Sequence, residues 1–203
     1  MSKRPDSPIS PYWLWLVLAL PAFFMAYAAA TSSNPRIFHI LVHPSGEWSA
    51  WLLILTMAAT PLALLFRGQR WPRWLLRKRR YFGVAAFGYA ALHTLFYLLD
   101  KGDPARVVAE LDRLYIWTGW LAFLIFLPLA ATSFDAAVKR LGRWWKPLQR
   151  LTYAAAVLTL IHWASLHGWR HPEAAFLTFA PLAALSAYRI WWVYRRPRTP
   201  VAA

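Results

Sequence analysis

Apolar residues run along this chain in blocks of about twenty, separated by short segments in which Lys and Arg predominate. About 20 apolar residues in a helix cross the hydrocarbon core of a bilayer. On that criterion the pattern predicts six spans, at 12–30, 48–66, 81–99, 114–132, 148–165 and 174–193. Pro21, Pro61, Pro128 and Pro181 fall inside them, which membrane helices tolerate better than soluble ones. Trp13, Trp15, Trp48, Trp51, Trp144, Trp145, Trp191 and Trp192 sit near span ends, as an interfacial aromatic belt does. The expected fold is an all-α integral membrane bundle of six helices forming one domain over 1–203. "AAATSS" after the first run resembles a signal-peptide cleavage region, but the run itself is of full membrane length, so an uncleaved first span is expected.

The polar segments orient the bundle. "RGQRWPRWLLRKRR" at 67–80 carries seven basic residues and no acid, and Lys139, Arg140, Arg143 and Lys146 follow the fourth span. Arg195, Arg196 and Arg198 close the chain, whereas the alternate loops hold only Arg36, then Lys101, Arg106 and Arg113 among acids, then Arg170. The positive-inside bias therefore places both termini in the cytoplasm of a bacterial inner membrane. The basic loops also fit contact with anionic lipid.

Composition narrows the chemistry. The chain is 59% hydrophobic with a formal charge of +15, too apolar for a soluble core of 203 residues. Its pI near 10.9 raises nucleic-acid binding, but the charges flank apolar spans instead of lining one face, so no nucleic-acid partner is expected. The absence of Cys excludes disulfides, thiolate metal sites, iron–sulfur clusters and covalent c-type haem. No buried nucleophile sits beside an oriented acid, and no carboxylate lies inside a span, which counts against hydrolysis and ion-coupled transport.

Six histidines remain: His39, His43, His93, His162, His167 and His171. Only His93 and His162 fall inside spans. His93 lies 13 residues past Arg80 and His162 lies 14 past Leu148, so each sits roughly 20 Å from the basic edge at ~1.5 Å per residue. Two imidazoles at one depth on different helices can hold a haem iron from opposite sides; a lone intramembrane His more often makes an interhelical hydrogen bond. Phe87, Tyr89, Phe96, Tyr97 and Trp163, with Gly83 and Gly88, are expected to make room for the macrocycle. His39 and His43, like His167 and His171, have i, i+4 spacing, but Pro44 and Gly168 point to loops or helix starts, so these are expected to be surface residues. His43 is kept as a third, weaker metal-ligand candidate.

"HPSGEWSAWLLILTMAATPLALL", "RRYFGVAAFGYAALHTLFYLLD" and "LPLAATSFDAAVKRLGRWWKPLQRLTYAAAVLTLIHW" follow one another in the order of the MsrQ (YedZ) family, which the chain resembles over about 35–165. That family lies within the ferric reductase-like transmembrane group. The resemblance implies an electron-transfer subunit with haem b, and FMN as a further cofactor. It also implies a cytoplasmic flavin reductase or a quinol as donor, and a periplasmic molybdopterin-dependent methionine sulfoxide reductase as acceptor. By residue matching, His93 and His162 fall on haem-ligand positions, and His43 on a recurrent family His. One position departs: where the family reads "LH" at the start of the fifth span and counts that His among its haem ligands, this chain has Gln149, a poor iron ligand, so the resemblance supports one haem and not a second on the cytoplasmic side. Two other readings fit the same residues: a stand-alone ferric reductase-like or quinol-oxidising cytochrome with a different acceptor, and a haem-free membrane anchor.

Overall fold

The computed structural model describes residues 12–195, and within them all but the side chain of His167. Arg196 and Arg198, used above for orientation, lie outside the described residues. Among the described residues all regular secondary structure is helical, and the α-helices are α1 (Tyr12–Thr31), α2 (Ile37–Leu65), α3 (Arg70–Lys101), α4 (Pro104–Val108), α5 (Leu114–Ala131), α6 (Asp135–Leu141), α7 (Trp145–Gln149), α8 (Leu151–Ala164) and α9 (Glu173–Arg195). Five of these are long and apolar enough to cross a membrane: α1, α2, α3, α5 and α9.

The sixth expected span is broken. Its segment is divided between α7 and the 14 residues of α8, which rise only ~21 Å of the roughly 30 Å needed. Arg150 joins the two with helical dihedrals, and its amide donates to both Lys146 O and Pro147 O at 3.2 and 3.1 Å, a locally tightened turn. Gln149 accounts for part of the break. Its Nε2 donates to Leu129 O and Thr132 Oγ1, both at 3.1 Å, tying α7 to the end of α5.

Two helices start about eleven residues before the apolar runs do. In α2, Asn34 Oδ1 accepts the Arg36 amide at 2.9 Å and turns the chain so that the helix begins at Ile37. His39, His43 and Pro44 are therefore helical, contrary to the loop or helix start expected there. Pro44 cannot donate to the preceding turn, but the Ser45 hydroxyl donates to Leu41 O at 2.7 Å and Val42 O at 2.8 Å. The basic stretch expected as a loop forms the first three turns of α3. Its Pro72 lies in the first turn, where no amide donor is needed, and Arg, Lys and Leu propagate the helix.

The helices pair antiparallel. α2 lies along α3 and α5 along α8, while α9 covers α2 and α8 and α1 rests on α2 and α3. Tyr89 docks α1: its hydroxyl donates to Leu18 O at 2.7 Å and accepts the Ala22 amide at 3.1 Å, beside Pro21. Trp13 stacks on Trp74, and Arg67 lies 3.7 Å over the Trp192 ring, so the start of α1 and the end of α9 meet at the basic end. The faces of α1 and α9 turned outward expose large apolar side chains, with Leu16 at 74% and Leu177 at 73%, as a lipid-facing exterior requires.

Candidate functional site

The two intramembrane histidines meet. His93 on α3 and His162 on α8 have ring centres 6.0 Å apart and ring planes crossed at 89°. Each Nδ1 is paired with a backbone carbonyl of the neighbouring helix: His93 with Val42 O of α2 at 2.7 Å, and His162 with Tyr115 O of α5 in a short contact. A carbonyl can only accept, so both rings carry their proton on Nδ1 and leave the Nε2 lone pair free. Among the described residues no buried polar side-chain atom lacks a partner, so these two Nε2 atoms open onto space.

That space is a cavity of about 590 Å³ between the α2/α3 and α5/α8 pairs, well inside the ~300–1,000 Å³ range of ligand sites. Its deep part is apolar, lined by Ala50, Ala90, Ala122, Phe123 and Phe126; its mouth is polar, with Glu47, Tyr97, Asp100, Lys101, Glu110 and Tyr115. Lys101 Nζ donates to Glu110 Oε1 at 2.8 Å, Tyr97 donates to Oε2 at 3.1 Å, and Arg113 reaches Oε1 at 3.1 Å. Burial works to raise the Glu110 carboxyl. The hydrogen bonds of Lys101 and Tyr97 and the charges of Lys101 and Arg113 outweigh it and hold the group below its ordinary value.

The other expected site residues are dispersed. His43 lines the cavity mouth, but its ring is 65% exposed and its Nε2 lies 3.3 Å from Glu47. His39 pairs with Asp100 at 3.3 Å and His171 with Glu173 at 3.2 Å. Tyr97 and Trp163 line the cavity as expected. Tyr89 and Phe96 are instead buried in helix packing, and Phe87 stacks on Phe123 at 5.9 Å. Gly83 faces Thr56 and Gly88 faces open space. The glycines against the two imidazoles are Gly46 and Gly119, which hydropathy gave no reason to single out.

The donor set decides what the cavity can hold. Among the described residues no group of three or more His, Cys, Asp or Glu converges on one point. A bare ion between two imidazoles would lack ligands, whereas a metal already set in a flat macrocycle needs one imidazole from each side. With ring centres 6.0 Å apart, His93 and His162 would hold such a metal between them. The residues present therefore fit a haem.

Comparison with known proteins gives the family. The profile described as "Ferric reductase like transmembrane component" matches residues 45–160. The protein-methionine-sulfoxide reductase heme-binding subunit MsrQ of Ralstonia nicotianae is 38% identical over 91% of this chain and 86% of its own length. Its counterparts from Polaromonas naphthalenivorans and Herminiimonas arsenicoxydans are 34% and 32% identical over 94% and 97% of the chain, and 89% and 92% of theirs. The chain belongs to the MsrQ family. The matched ferric reductase-like segment contains Gly46, His93 and Gly119 and stops two residues short of His162, so it covers most of the cavity lining but not His162 itself.

Proposed function

We propose that this member of the MsrQ family is a six-span membrane cytochrome of the bacterial inner membrane, holding one haem b between His93 and His162. It serves a periplasmic, molybdopterin-dependent methionine sulfoxide reductase. The observation that carries the reading is the pair of anchored imidazoles, 6.0 Å apart, with both Nε2 atoms turned into one cavity. The name of the relatives, heme-binding subunit, agrees with it. Haem, when bound, supplies a one-electron couple. The chain's part is to orient the two ligands, exclude water with the apolar floor, and present the polar mouth to the acceptor.

The sixth span is α7 and α8 taken together through Arg150, and the basic end faces the cytoplasm with both termini. That end, with Arg73, Arg77 and Lys139, is suited to a cytoplasmic flavin reductase, to a phosphate-bearing FMN and to anionic lipid. Gln149 supports a single haem, since its amide is spent on α5 and the described histidines with defined side chains all lie toward the opposite end. The same residue favours a second reading, oxidation of quinol within the membrane, because without an inner haem the path from the basic end is long. His43 stays with Glu47 and outside the ligand pair.

A reduced-minus-oxidised spectrum of the purified chain, with haem quantified, tests this. One haem per chain is expected. His93→Ala and His162→Ala should each abolish or strongly deplete it, while His43→Ala should retain it. Normal haem in both of the first two variants sinks the ligand pair, and no haem in the unmodified chain sinks the cytochrome reading.

A further inference from the structure

The same local arrangement occurs twice. On α2 the carbonyl of Val42 accepts from His93, and Gly46 stands four residues later; on α5 the carbonyl of Tyr115 accepts from His162, and Gly119 stands four residues later. A Cβ built on Gly46 would lie 2.9 Å from His93 Nδ1 and 3.0 Å from its Cε1; one on Gly119 would lie 2.7 and 2.9 Å from the same atoms of His162. These are ring atoms, fixed by the carbonyl contact, so they cannot yield as the end of a flexible chain would.

The physical cause lies in helix geometry. A helical side chain tilts toward the N-terminus and covers the turn before it, so the residue at i+4 screens the carbonyl at i. That carbonyl keeps acceptor capacity after its helical bond, shared on α2 with Ser45 and on α5 with Thr118, whose hydroxyls bond more closely to Leu41 O and Leu114 O, but an outside donor reaches it only if the screen is removed. Glycine removes it. Glycine is otherwise a poor residue for a helix interior, and here it occurs at both positions where an imidazole crosses onto the neighbouring helix.

We propose that Gly46 and Gly119 are the positioning residues of the haem site, each uncovering the carbonyl that holds one imidazole, and that together they impose the crossed ring planes. The inference rests on the ligand pair proposed above. A hydrogen bond from Nδ1 to a carbonyl fixes the tautomer and makes the ligating nitrogen more basic, and losing such a support typically costs about 10- to 100-fold in metal affinity. Crossed axial imidazoles give ferric low-spin haem a highly anisotropic EPR signal, whereas parallel planes give a rhombic one.

The test uses the full chain purified with its haem, and the variants Gly46→Ala, Gly119→Ala and, as comparison, Gly88→Ala, whose added Cβ meets nothing within 4 Å. The unmodified protein should show the highly anisotropic signal. Gly46→Ala and Gly119→Ala should each lower haem content, or retain haem with a higher midpoint potential and an altered EPR signal; Gly88→Ala should match the unmodified protein. Retention of the unmodified signal and potential in both of the first two overturns the proposal. If Gly46→Ala fails to fold, it is combined with His93→Ala: recovery of a monodisperse helical chain supports the clash, and failure to recover rejects it. Absence of haem in the unmodified protein, by contrast, removes the reading beneath the proposal.

Discussion

Glu110 does at the mouth of the cavity what the carbonyls do inside it. It gathers Tyr97 and Lys101 from α3 and Arg113 from the start of α5, and Arg113 in turn donates to the Tyr115 hydroxyl at 2.9 Å. One carboxylate thus ties the helix of His93 to the helix whose carbonyl orients His162. Because its folded-state value is depressed, the group contributes stability that is present above its unfolded value and is lost as pH falls through the folded one. Thermal unfolding of Glu110→Gln against the unmodified chain should therefore show a clear deficit at neutral pH that shrinks in acid, below the usual carboxylate range. A deficit that stays constant with pH contradicts the role. Sequence reading singled out His93 and His162, which the fold brings together, because an imidazole in an apolar run stands out by depth alone. It did not find Glu110, Gly46 or Gly119. Their roles depend on which helix lies alongside, and hydropathy carries no information about neighbours.

At the level of elements, the apolar runs located the helices and misjudged their ends. α3 begins at Arg70, outside its apolar run, because Arg, Lys and Leu continue a helix as well in water as in lipid, and α2 begins at Ile37, where the Asn34 side chain turns the chain. The broken sixth span has the opposite cause. Its composition is apolar enough, but Pro147, Arg150 and the Gln149 side chain divide it where it meets the end of α5. Replacing Gln149 with Leu removes two hydrogen bonds to α5 and should cost about 1–2 kcal/mol of stability. Haem content should not change, since His93 and His162 lie toward the other end. A thermal melt and a haem assay on one preparation separate these effects, and loss of haem in Gln149→Leu would show that the two ends of the bundle are coupled.

The whole molecule is electrically polarised between its basic end and its histidine end. Of eight acidic residues, Glu47, Asp100, Asp103, Glu110, Asp112 and Glu173 lie toward the histidine end; of the other two, Asp135 lies at the basic end, bonded to Arg80 at 2.5 Å, and Asp6 precedes the described residues. Seven basic residues at 67–80, with Lys139, Arg140, Arg143, Lys146 and Arg150, leave the basic end strongly positive. Such a field steers an acidic soluble donor and is screened over about 8–10 Å at moderate salt. A quinol arriving through the bilayer is uncharged and does not sense it. The two donors therefore separate by ionic strength. With a soluble flavin reductase, the rate at which the purified haem-loaded protein is reduced should fall several-fold from low to high salt, and Arg77→Glu should lower it further at low salt only. With a quinol analogue, neither salt nor that substitution should matter. Salt-independent reduction by the soluble enzyme would remove the basic end from the electron-entry path.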